Sequence, residues 1–192
     1  MQRYDIDRIL VVDLEATCWE GDPPFGQKNE IIEIGSALLS TADGAIVRGP
    51  ELLVRPVSSV VGEFCTKLTN ITQQMVDESG IPFPAAIDAL VESYGDSRLA
   101  WASFGDYDKY MLANACSAHG IRYPLSDTHI NVKRIEAILG GHRETGMMRC
   151  LARLGLQPEE GTQHHRGCDD AVNIARILWE IIRRYRSSTA NG

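Results

Sequence analysis

Three places in this 192-residue chain hold residues that could do chemistry together. In VVDLEATCWE, Asp13 and Glu15 stand two apart. In WASFGDYDKYML, Asp106 and Asp108 follow an apolar run. In HHRGCDDAVNIARI, His164 and His165 precede Asp169 and Asp170. Residues two apart on a strand share a face, so Asp13 and Glu15 would lie about 6.6 Å apart along it. Two carboxylates at the end of a buried strand are costly unless something neutralises them. A divalent cation does so directly, and oxygen ligands suit Mg²⁺ or Mn²⁺. The alternative is a strand that simply ends in water with both acids solvated. An imidazole titrating near pH ~6.5 suits a general base, although a loop histidine is more often a surface residue.

The elements around these residues decide how each acid points. Ile9 to Ala16 is apolar on both faces, as in a strand buried in the middle of a sheet. RLAWASF reads as a strand running through Gly105 into a helix, with Asp106 at the helix start. An aspartate there is commonly a cap, which is the competing reading for Asp106. After Gly167, Ile174, Leu178 and Ile181 form an apolar stripe that Asp170 begins, whereas Asp169 aligns with Asn173, Arg176 and Glu180 on the expected wet face. Helical period therefore points Asp170 inward and Asp169 outward. An inward acid at a helix start needs a partner, and a metal shared with the first acid pair would serve. His164 and His165 lie in an irregular loop, where period separates nothing.

Further strands are expected at residues 31–39 and 45–55, and helices at 73–79, 84–95, 106–120, 146–156 and 169–185. THINVKRIEAILGG should run from an extended piece into another helix. Strands first, then strands mixed with helices, fit a single α/β domain with a mixed sheet and helices packed over it. The domain is expected to span residues 1–186, with 187–192 as a flexible tail.

Composition bounds the function. At 44% hydrophobic and 23% charged, the chain is of ordinary globular make-up. No run of about 18 apolar residues exists to span a membrane, and MQRYDIDRIL lacks the apolar core of a secretion signal. Five scattered cysteines without a CxxC pair read as reduced thiols of a cytoplasmic protein and argue against a zinc site. The net charge of −7 argues against a non-specific nucleic-acid binder, unless the acids are gathered to hold cations. The oligomeric state is left open.

Taken together, DxE on a first strand, an Asp after a later strand, and H-x4-D opening the last long helix resemble the DEDDh (DnaQ-like) 3′→5′ exonuclease family. The stretches DLEATCWE, NEIIEIG, CTKLTNIT, GDYDKYML and HHRGCDDAVNIARI are similar to the subgroup of histone-mRNA 3′-end and enhanced-RNAi exonucleases and bacterial KapD-like proteins. The resemblance covers residues 8 to 185. It implies a ribonuclease-H-like fold, two Mg²⁺ or Mn²⁺ ions, and Asp13, Glu15, Asp106 and Asp170 as metal-binding acids. It implies His165 rather than His164 as general base, because His165 stands at the family interval from Asp170. It implies contacts of Leu68 and Ile71 with the terminal base, with Leu14 and Trp19 as further candidates. Phe104 stands where this subgroup is expected to carry Trp. The implied activity is release of nucleoside 5′-monophosphates from single-stranded 3′ ends, with RNA preferred over DNA by analogy alone. A DNA exonuclease and a non-catalytic nucleic-acid-binding regulator are the rival readings. Lys133, Arg134, Arg143, Arg149, Arg166 and the RRYR run at 183–186 are candidate phosphate contacts, each equally readable as a solvated face.

Overall fold

The structure is a computed structural model that describes residues 5–94 and 99–190. Its centre is strand β1 (Asp5–Ala16), the doubly apolar run of the sequence. It pairs antiparallel with β2 (Ile31–Ser40) and parallel with β5 (Leu99–Ser103). The sheet continues to β3 (Ile46–Arg48) on one side and to β6 (His129–Asn131) on the other, in the order β3-β2-β1-β5-β6. The third expected strand is split: after Gly49 and Pro50, a short β4 (Leu52–Leu53) pairs separately with β2.

Alternation along β1 assigns its two faces. Ile9 and Val11 enter a core with Ala171, Ile174, Ala175, Ile177 and Leu178 of α7 (Gly167–Ala190). Cys150 and Leu151 of α6 (Met147–Leu154) and Val132 of α5 (Val132–Gly140) complete that layer. Leu10, Val12 and Leu14 face the other way. They pack against Ile87 and Leu90 of α3 (Phe83–Tyr94) and Leu112 and Cys116 of α4 (Tyr107–Ala118). Helices thus cover both faces of a mixed sheet, as expected. Two short helices, α1 (Glu63–Thr69) and α2 (Gln73–Glu78), bury Cys65, Ile71 and Val76 against Ile32 at the end of β1 and β2. Thr72 caps α2 as its sequence position suggests, accepting from the Met75 N–H at 3.1 Å. The α1 turn was not anticipated; its N-cap is Gly62, which offers no side-chain signal.

Two expectations are corrected. Residues 187–190, expected as a frayed tail, continue α7 to Ala190. The Ser187 hydroxyl donates to the Arg183 carbonyl at 2.9 Å and the Ser188 hydroxyl to the Tyr185 carbonyl at 2.7 Å. The supposed wet face of α7 is covered: Asp169, Asn173 and Glu180 are each at most 8% exposed. The segment after α6 lies over them, with the Glu159 N–H on Asn173 and Arg176 on the Gln157 carbonyl. Of the expected element ends, Gly95 and Arg98 lie outside the described residues, as do Asn191 and Gly192.

One close approach fixes where α7 begins. A Cβ on Gly35 of β2 would lie 1.8 Å from the Gly167 carbonyl carbon, and one on Gly167 would lie 2.9 Å from the Gly35 nitrogen. Only two glycines allow the helix start to rest directly on the strand.

Candidate active site

Asp13 and Glu15 continue the Ile9–Val11 face of β1 beyond the apolar core, so they emerge beneath the first turn of α7. Asp170 comes down from that turn. One ligand oxygen from each of Asp13, Glu15 and Asp170 falls within 4.8 Å of the others. Glu15 and Asp170 are buried, at 8% and 4% exposure. Asp106, the expected fourth acid, is not brought to these three. Asp106 caps the start of α4 in position, with its carboxylate turned outward to Arg134 at 2.9 Å and 3.8 Å from His129. Asp108 takes the inward place: it is 5% exposed, and its Oδ1 accepts the Leu14 N–H, between Asp13 and Glu15, at 3.0 Å. The reason is helical geometry. Asp108, Leu112 and Cys116 are the buried residues of α4, one turn apart, whereas Asp106 precedes the helix.

Crowding these acids out of water shows in their proton affinity. Burial, then the charges of Asp108, Asp170, Glu15 and Glu33, hold Asp13 well above the usual carboxylate range. Burial, then Asp170, Glu33 and Asp108, push Glu15 up to about 8, with Arg166 acting against them. Burial pushes Asp108 up to about 6 despite the hydrogen bond from Leu14. A cluster of oxygen donors that resists ionisation is the donor set a hard divalent cation neutralises.

Both histidines stand over Asp170. His164 Nδ1 lies 3.0 Å from Asp170 Oδ2. The His165 backbone N–H donates to the same oxygen at 3.0 Å, and its ring stacks on His164 with centroids 3.9 Å apart. His165 adopts φ 66°, a left-handed turn that brings the two rings together. The bond to Asp170 raises the pKa of His164; burial and the neighbouring His164 lower that of His165. Asp169 points away from the cluster. It is held by Arg48 of β3 at 2.5 Å and accepts the Gln163 N–H at 2.7 Å.

Comparison with known proteins fits this arrangement. The RNase_T exonuclease family matches residues 10–178. The chain belongs to that family. The 3'-5' exonuclease Snipper of Drosophila melanogaster is 30% identical over 95% of this chain and 71% of its own length. The 3'-5' exoribonuclease 1 of Rattus norvegicus is 32% identical over 92% of this chain and 53% of its own, so the chain spans only about half of that relative. The crystallographic nuclease domain of 3'hExo, a DEDDh family member bound to rAMP, superposes with a TM-score of 0.83 at 29% identity, covering 94% of this chain and 93% of that one. These relatives put this exonuclease among the DEDDh-type 3′→5′ enzymes with a ribonuclease-H-like fold.

The apolar residues of the exonuclease divide between core and surface. Ile71 is fully buried beside Ile32, Val61, Cys65 and Val76, and Leu14 is 5% exposed in the α3–α4 core. Both side chains turn into the core, Ile71 from the link between α1 and α2 and Leu14 from the face of β1 that packs on α3 and α4. Leu68 is 38% exposed, with Phe64 one turn before it on α1. Trp19 is half-buried. Tyr107, missed by the sequence reading, is 57% exposed at the start of α4. Its phenol is held up first by burial and then by the charge of Asp108, its neighbour in the chain. Its position next to Asp108 was the available signal. Several basic candidates are already engaged: Arg166 by Glu33 and Glu51, Arg134 by Asp106 and Glu144, Arg183 and Arg184 by Glu180, and Arg186 by the Thr41 carbonyl. Arg143 and Arg149 stay exposed. Among the described residues, no helix is long and apolar enough to cross a membrane.

Proposed function

We propose that this protein is a metal-dependent exonuclease that removes nucleotides from the 3′ end of single-stranded RNA and releases nucleoside 5′-monophosphates. The observation that carries the reading is the convergence of Asp13, Glu15 and Asp170, with Asp108 hydrogen-bonded to the strand that bears the first two. Asp13, Glu15 and Asp170 would hold one Mg²⁺ or Mn²⁺, and Asp13 with Asp108 a second; the oxygen-only donors and their raised proton affinity fit such ions. When bound, the cations neutralise the acids, lower the pKa of a water and offset the charge building on the phosphate.

The protein's own groups supply the rest. His165 accepts the proton of the attacking water at a ring nitrogen. Its lowered pKa keeps it neutral for that task, whereas His164 is committed to Asp170. Leu68 and Tyr107 offer exposed apolar faces for the terminal nucleoside, and Phe64, one turn before Leu68, and the half-buried Trp19 are further candidates. Stacking of this kind favours a splayed single strand over a paired end. The rat relative's name and the rAMP bound to the 3'hExo domain support RNA as substrate. All five cysteines are free thiols, which supports a reducing, cytoplasmic setting.

The test is to incubate the protein with 5′-labelled single-stranded RNA and DNA of one sequence, with Mg²⁺, Mn²⁺ or a chelator. A ladder shortening from the 3′ end of the RNA, 5′-monophosphates as product, and silence in chelator are expected. Absence of cleavage of both strands with metal present would overturn the reading, and faster cleavage of DNA would reassign the substrate.

A further inference from the structure

Glu33 lies near the start of β2 and is completely buried. A carboxylate at that depth is costly unless hydrogen bonds and an opposite charge meet it. Both are present. Glu33 Oε2 accepts the Gly167 N–H at 2.7 Å, and Oε1 accepts from Arg166 at 3.1 Å. The Gly167 N–H is one of the donors that the first turn of α7 cannot satisfy by itself, and a negative charge there also suits the helix dipole. Both oxygens of Glu33 are thus committed to the protein, and it is not among the acids whose ligand atoms converge.

We propose that Glu33 is a positioning residue of the exonuclease site: through Arg166 and the Gly167 N–H it fixes the His165 loop and the first turn of α7. This rests on the roles given above to His165 and Asp170. The geometry is direct. Arg166 follows His165 in the chain, and its carbonyl accepts the Asp170 N–H at 2.8 Å. Glu33 is the cross-strand partner of Glu15. The strand pair that carries Asp13 and Glu15 therefore also holds the turn that carries the base and Asp170. The Gly35–Gly167 contact stops the helix from moving closer, and Glu33 stops it from moving away. Arg166 reaches on to Glu51, which ties the loop to the segment before β4. Arg166 is accordingly a part of this clamp rather than a free phosphate contact.

The experiment uses the whole chain and the variants Glu33→Gln, Glu33→Asp and Arg166→Ala, with three readouts. These are amide hydrogen exchange over residues 163–170, Mn²⁺ binding by calorimetry, and kcat and KM on single-stranded RNA. For Glu33→Gln, exchange over the loop should rise at least about tenfold while β1 and β5 keep their protection. Mn²⁺ affinity and kcat should each fall about 10–100-fold, with KM within about threefold. Glu33→Asp should restore part of the loss. Arg166→Ala, outside the core, should show the same pattern more weakly, and it decides the matter if Glu33→Gln does not fold. Unchanged loop exchange with kcat within threefold, in whichever variant folds, would overturn the clamp. A lower melting temperature with normal kcat below it would also do so, because that is the mark of a merely structural acid. A wild-type protein that cleaves no RNA, but whose loop still opens in Glu33→Gln, would sink the exonuclease reading and leave the clamp standing.

Discussion

The two helix starts that face the acid cluster, α4 and α7, solve one problem in parallel. Each brings two acids within two residues of one another, Asp106 and Asp108 in one case, Asp169 and Asp170 in the other. In each pair one acid goes inward: Asp108 onto the Leu14 N–H, Asp170 beside Asp13 and Glu15. The other is held off by an arginine from a neighbouring element, Asp106 by Arg134 of α5 and Asp169 by Arg48 of β3. The starts differ in exposure. Asp106 keeps 29% of its side chain in water, whereas Asp169 keeps 11% and also ties down the Gln163 N–H. Which acid turns inward is set by the apolar period behind it, and how tightly its neighbour is held is set by what covers the helix.

The sharpest way to break this comparison is to neutralise each acid in turn. Asp170→Asn and Asp108→Asn should each lower kcat on single-stranded RNA by about two to three orders of magnitude, since several kcal/mol of charge stabilisation is at stake. Asp106→Asn should stay within about fivefold, being a partly exposed ion pair turned away from the cluster. If Asp106→Asn loses as much as Asp108→Asn in the same assay, the inward assignment at α4 is wrong.

The same contrast extends to the histidines. His165→Ala should cost on the order of 10²–10⁴ in rate, and His164→Ala much less. Equal losses under single-turnover conditions would mean that the two rings share the proton transfer. Next in size, Tyr107→Ala should weaken binding of a short RNA about tenfold with kcat less affected, as the loss of one stacking face does. Ile71→Ala should instead lower the melting temperature, because that side chain belongs to the core. A KM effect for Ile71→Ala at full stability would return it to the substrate surface.

The smallest effect is a pH dependence of the metal-free protein. Glu15 and Asp108 bind protons more tightly folded than unfolded, with folded values of about 8 and about 6. Between the ordinary carboxylate range and those values the folded state carries the extra protons, so stability falls as pH rises through that window. Without metal, the melting temperature should therefore drop by a few degrees between about pH 5 and about pH 8. Added Mn²⁺ should raise it more at pH 8 than at pH 6. A melting temperature flat with pH in chelator would show that the acids are not buried together.

How much of this was legible beforehand follows from range. Asp170 was legible, because Ile174 and Leu178 repeat behind it on one helix. Asp108 was equally legible, because Leu112 and Cys116 repeat behind it on α4, whereas Asp106 rested on the family resemblance, which carries no helical period. His165 stood out through family spacing alone; no local period separates two adjacent residues in a loop. The β1 faces were readable from alternation. The engagement of Arg48 with Asp169 and of Glu33 with Gly167 was not, since these pairs are 121 and 134 residues apart and no local pattern encodes them. The cover over the outer side of α7 was hidden for the same reason: an apolar stripe shows which side faces the sheet, not what a later segment lays over the other side.

The contact of Gly35 with Gly167 bears on how such a protein can change over generations. Neither position can gain a side chain first, because each would meet the other's backbone rather than a flexible tip. A lineage that altered one glycine would lift α7 off the strand before any second change could compensate. The two positions are therefore expected to stay glycine together in any descendant that keeps this helix start.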